Sequence, residues 1–178
     1  MKIIKGILIT IVVLAVAYIV TALITPKSYT VERSVEINAP SDIIFEKVSL
    51  FSNWNSWSPW KEQDPTSTYQ LNGEDGIIGT TYSWSGDAEK TGTGGMTITE
   101  VTKNSKFAYD LAFTAPWQSS SKGHFSLSET NGVTTLTWAD AGDIPFMDRP
   151  MMYFMDLEGM MGPMFERGLF KIDSLVTQ

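Results

Sequence analysis

The sequence predicts an α+β fold in which a curved seven-stranded antiparallel sheet surrounds a long C-terminal helix, preceded by one transmembrane helix. Three observations carry this expectation. Between Tyr29 and Asp140 the chain reads as short alternating strands with one helical interlude. Phe154, Leu157, Met161, Phe165, Leu169, Ile172 and Val176 recur at steps of three and four, which places them on one face of a helix from Arg149 to Val176. Gly6 to Ile24 is nineteen residues without a charge. An amphipathic helix that follows a run of strands must bury its stripe, and the apolar face of the sheet is the only large surface on offer.

The amino-terminal run would span roughly 28 Å as a helix, close to the thickness of a bilayer's hydrocarbon core. Lys2 and Lys5 precede it, and Pro26 and Lys27 close it. Residues 1–26 therefore read as an anchor and 27–178 as one domain. The rival is a cleaved signal peptide with a weak site at Val20-Thr21-Ala22, although the apolar run is longer than signal peptides use. Lysines on the short amino-terminal side favour that side as cytoplasmic, which puts the domain outside the cytosol.

Val31, Val35 and Ile37 alternate with Thr30, Glu32, Ser34 and Glu36, the pattern of a half-buried first strand. Ala39-Pro40 ends it, and Ser41 or Asp42 is placed to cap a helix carrying Ile43, Ile44 and Val48. Trp54, Trp57 and Trp60 follow, the first two spaced to point the same way on one more helical turn. Later strands read as Thr68–Leu71, Thr80–Trp84, Gly95–Lys103, Lys106–Thr114, Ser120–Glu129 and Val133–Asp140. Asn72-Gly73, Ser85-Gly86-Asp87, Lys103-Asn104-Ser105 and Thr130-Asn131-Gly132 supply the turns. In the last helix Pro163 cannot donate to the carbonyl of Gly159, so a kink or break is expected around Gly162, where the helix start would move as a gate.

Alternation gives the sheet one aromatic-rich face, from Tyr82 and Trp84 through Phe107, Tyr109 and Phe113 to Phe125 and Trp138. The other face carries Ser83, Thr97, Asp110, Ser126 and Thr137. A curved sheet gripping one helix leaves room for a ligand where the helix cannot fill the concavity; aromatics that pack solid are the alternative. Trp84, Phe113, Trp138, Phe154, Met155 and Met161 are expected to line one volume, with Trp54 and Trp57 near its mouth. Seven methionines between Met147 and Met164 suit an adaptable pocket wall, or flexible core filling. Arg33 shares the parity of Val31 and Asp140 that of Trp138. An ion pair between them is one expectation, a ligand carboxylate held by Arg33 a second, and solvent exposure of both a third.

Residues 27–178 hold 11 basic and 20 acidic side chains, a poor match for nucleic acid or an anionic surface. The chain has no cysteine, which excludes disulfides and thiolate chemistry. His124, the only histidine, falls on the wet face and reads as a solvated side chain rather than an acid–base group. The pairs Asp140/Asp143 and Asp87/Glu89 sit at strand ends or turns and read as loop carboxylates before metal ligands. Gly92-Thr-Gly94-Gly95 has no helix after it, so it reads as a strand start or bulge rather than a phosphate loop. No nucleophile, base and oxyanion donor assemble, and no cofactor is implied.

The order of one strand, two short helices, six strands and a long helix resembles the helix-grip order of the START-like (SRPBCC) superfamily. Val31–Pro40, Trp54-Asn-Ser-Trp57-Ser-Pro-Trp60, Gly79–Trp84 with Gly92-Thr-Gly94, Thr135–Trp138 and Met161–Leu169 are similar to its bacterial polyketide cyclase/dehydrase-like group. The resemblance covers about residues 29–176. It implies a small hydrophobic or amphiphilic ligand, including lipid, bound between sheet and helix; a cyclase or dehydratase, or an accessory domain with a filled core, are the alternatives. It carries over no catalytic residues.

Overall fold

The computed structural model describes residues 2–177. Helix α1 (Lys2–Ile24) is long and apolar enough to cross a membrane and is almost wholly exposed. Then come β1 (Ser28–Ile37), α2 (Ser41–Ser49), α3 (Phe51–Trp57), α4 (Pro59–Gln63), β2 (Thr68–Asn72) and β3 (Thr81–Ser85). β4 (Thr93–Thr102), β5 (Lys106–Ala115), β6 (Ser119–Thr130), β7 (Val133–Asp143), α5 (Arg149–Met152) and α6 (Leu157–Val176) complete the chain. The seven strands form one antiparallel sheet in the order β1-β7-β6-β5-β4-β3-β2. The expected architecture is thus present: period-two patterning places each strand within a few residues of its observed bounds.

Local chemistry explains the connections. Asn131 and Gly132, with φ of 54° and 80°, make the two-residue turn between β6 and β7. The glycine-rich stretch opens β4 with a register shift between Thr93 and Gly94, a strand-start bulge. The starts of α2 and α3 receive carboxylates from across the fold. Ser41 donates its amide to the Glu129 carboxylate of β6 at 2.8 Å. Phe51 and Ser52 donate theirs to Asp75 at 2.8 and 2.9 Å. Asp42, one of the expected caps, accepts only the Ile43 amide beside it at 2.8 Å, and carboxylates from β6 and from the loop after β2 take the other amides.

The C-terminal helix departs from expectation. It does not run from Arg149; α5 ends at Met152, and α6 restarts at Leu157 behind Asp156, whose carboxylate accepts from the Gly159 amide at 2.9 Å. No break falls at Gly162: α6 is continuous through Pro163. A residue before proline resists helical geometry mainly through its Cβ, which Gly162 lacks. Beyond it, Phe165, Leu169 and Ile172 are buried under the sheet and hold the helix in place.

Asp64, fully buried, locks the loop after α4 to the β3–β4 connection. It accepts from the Thr66 hydroxyl at 2.6 Å, the Asp87 amide at 2.8 Å and the Thr91 hydroxyl at 2.9 Å. The Thr66 hydroxyl and the Asp87 amide hold its carboxyl well below the usual carboxylate range. A carboxylate depressed by folding stabilises fully above its unfolded pKa of about 4, and that contribution fades as pH falls below it. Asp64→Asn should therefore lower the melting temperature by several degrees near neutral pH, with the gap narrowing towards about pH 3. Melting curves across that range check the sign; a gap that widens in acid contradicts it.

Candidate ligand-binding cavity

The concave face of the sheet is aromatic because alternation sends Tyr82, Trp84, Tyr109, Phe125 and Trp138 inward from four strands, β3, β5, β6 and β7. Helix α3 adds Trp54 and Trp57 from below. Their indole nitrogens donate to the carbonyls of Val48 at 2.9 Å and Lys47 at 3.0 Å, which fixes both rings. Trp138 stacks on Phe165 of α6 with ring centroids 4.3 Å apart, closing one side of the interior.

The other side stays open as a cavity of about 270 Å³. Trp54, Tyr82, Trp84, Met96, Tyr109, Leu111, Phe113 and Trp138 wall it from α3 and the sheet. Leu157, Met161 and Phe165 form its roof from α6. The volume lies just below the roughly 300–1,000 Å³ of small-molecule pockets, so it suits one ring system or a short chain rather than a two-chain lipid.

At the end formed by the start of β1, the start of β6 and the end of β7, the wall turns polar. Tyr29 donates its hydroxyl to Asp140 Oδ1 at 3.0 Å and Ser121 donates to Oδ2 at 2.9 Å. Trp138 Nε1 donates to the Tyr109 hydroxyl at 3.0 Å. Two glycines make this cluster possible. A Cβ on Gly123 would overlap the ring of Tyr109, and one on Gly142 would meet Tyr29 at 2.8 Å, so each tyrosine lies across its neighbouring strand. Burial raises the Asp140 carboxyl above its ordinary range, against the pull of the Ser121 and Tyr29 hydrogen bonds. Burial, and then the charge of Asp140, push both the Tyr29 and the Tyr109 phenols upward.

Of the residues singled out from sequence, Trp54, Trp84, Phe113, Trp138 and Met161 lie on this one cavity. Trp57 is fully buried behind Trp54, and neither stands at a mouth. Phe154, 78% exposed, and Met155 lie outside, because the chain leaves the helix between α5 and α6 and turns them away from the sheet.

Arg33 faces inward but takes other partners than Asp140. Its Nε lies 2.6 Å from Glu166 and its Nη1 2.5 Å from Glu158, clamping β1 to α6 beside Gly162. These acidic groups hold its guanidinium protonated above its ordinary value. In the register Arg33 faces Trp138 and Val31 faces Asp140, and the nearer carboxylates on α6 win. Tyr29, Ser121 and Asp140 were not joined into a site by sequence reasoning. The signal available was the interruption of the apolar inward parity by Ser121 and Gly123.

No protein-family model and no curated protein match this chain. Solved structures do. Protein CV1439 from Chromobacterium violaceum superposes with a TM-score of 0.60 at 15% identity, over 86% of this chain and 99% of that one. The Aha1 dimer from Colwellia psychrerythraea gives 0.59 at 12%, over 83% and 96%. Major latex-like protein 151 from Panax ginseng gives 0.62 at 9%, over 86% and 100%. At such identities the likeness concerns architecture alone: the chain has the α+β helix-grip fold, a seven-stranded antiparallel sheet closed on a long C-terminal helix.

Proposed function

We propose that this protein is a membrane-anchored binding domain that holds one compact hydrophobic molecule between its sheet and α6. The apolar cavity of about 270 Å³ carries this reading. A filled core would have closed a space ringed by so many large side chains, and apolar cavities of this size bind apolar molecules. Helix-grip architecture and the resemblance to the START-like group support the same use.

The membrane part of the proposal rests on α1 and on what stands beside it. Phe146, Met147, Met151, Tyr153 and Phe154 are exposed around α5. Tyr18 of α1 donates its hydroxyl to the Met147 carbonyl at 2.5 Å, so this apolar patch continues directly from the apolar helix. Exposed Trp117, in the β5–β6 connection, lies at the same end of the sheet as the start of β1. Aromatic and methionine side chains gathered beside a span fit the interfacial layer of the bilayer that holds it. Residues 1–26 then form the anchor and 27–178 the binding domain, on the extracytoplasmic side.

Intrinsic tryptophan fluorescence tests the cavity. A panel of one- and two-ring hydrocarbons should shift the emission with micromolar affinity, about −8 kcal/mol. Leu111→Trp, which fills the space, should abolish the response. If the panel leaves both the spectrum and the melting temperature unchanged, the accessory domain with a filled core is the better reading.

A further inference from the structure

Resting on the cavity reading, we infer that the cavity selects apolar molecules ending in a hydrogen-bond donor, an amine or an alcohol, and rejects carboxylates, with Asp140 as the selecting group. Asp140 is 2% exposed and lies on the cavity wall. Its two oxygens accept one hydrogen bond each, from Tyr29 and Ser121, both uncharged donors. An ionised carboxylate offers about four acceptor sites, so two remain for a guest.

Cations are missing from its surroundings. Among the described residues no lysine, arginine or histidine lines the cavity. The nearest candidate on the inward face, Arg33, is held by Glu158 and Glu166. The polar end of the cavity is therefore acidic and has no counter-charge. A guest ammonium would supply the missing charge, and a guest hydroxyl would donate to a free lone pair. A guest carboxylate would bring a second negative charge beside the first, away from water, which is strongly disfavoured. The requirement for an aromatic or aliphatic body comes from the remaining walls.

Three probes of one shape separate the chemistry: 3-phenylpropylamine, 3-phenylpropanol and 3-phenylpropanoate. Propylbenzene serves as the headless reference. Each is titrated calorimetrically into the full-length chain in lipid nanodiscs, with empty nanodiscs subtracted. The amine should bind at least about tenfold more tightly than the propanoate, with the alcohol also ahead of it. In Asp140→Asn, near-identical in shape, the amine should lose that advantage and the propanoate should gain. Propanoate binding as tightly as the amine in the unmodified chain overturns the inference, whatever the variant does. An amine preference that persists in a folded Asp140→Asn overturns it too. Propylbenzene binding with no ranking among the other three defeats the selectivity alone; failure of propylbenzene as well defeats the cavity.

Discussion

Trp138→Ala is expected to destabilise the domain by about 3–5 kcal/mol, the range for emptying a buried tryptophan site. Trp138 is 1% exposed and touches every layer of the fold. It stacks on Phe165 of α6 at 4.3 Å, meets Trp57 of α3 at 5.5 Å and Trp60 of α4 at 5.4 Å, and lies 4.8 Å from Phe125 of β6. Gly168 lets α6 approach its ring, since a Cβ there would come within 2.8 Å. Its indole also satisfies the buried Tyr109 hydroxyl, so truncation adds an unpaired polar group to the void. Denaturant unfolding should show the midpoint falling accordingly. The control is Phe154→Ala, which should stay within about 0.5 kcal/mol because that side chain stands in the open. A Phe154 effect larger than the Trp138 effect would mean that the α5–α6 segment, and not the sheet–helix packing, holds the C-terminal region.

Removing residues 1–26 should move the protein completely from the membrane fraction to the supernatant. The full-length chain should remain with membranes through high-salt and carbonate washes, since α1 presents apolar side chains around its whole circumference. Truncation should leave the domain folded, because among the described residues of 1–26 none belongs to the core cluster, and Ala22 and Thr25 are the only ones buried. A chain starting at Lys27 should thus show the same cooperative unfolding as the full-length protein. A mature chain recovered with Leu23 at its amino terminus would mean cleavage, and the domain would then be released rather than anchored.

Strand content was legible because β side chains repeat every two residues whatever the strand pairs with. Seven alternating segments and Gly- or Asn-bearing turns were enough to place the sheet, and a long apolar stripe was enough to lay α6 against it. Trp84, Phe113 and Trp138 follow from the strand parity, and Met161 from the helical stripe. Phe154 shows where periodicity fails: it fits the three-and-four spacing, yet Asp156 begins a new helix behind it. Spacing says which residues would share a face if the helix were continuous, and a cap decides whether it is.

The polar end of the cavity depended on the third dimension altogether. Parity already sent Arg33 and Asp140 inward. Their partners were chosen by what the register and α6 bring within reach: Glu158 and Glu166 for the first, Tyr29 and Ser121 for the second. Half-buried Arg33 meets two carboxylates while buried Asp140 meets only uncharged hydroxyls, and sequence separation carries no information about either distance. Nor does one strand reveal that Gly123 and Gly142 are empty because tyrosines from the neighbouring strands lie across them. Close approach between strands is a property of the assembled sheet, so the apolar walls could be read from the chain, and the acidic group at their end could be understood only from the fold.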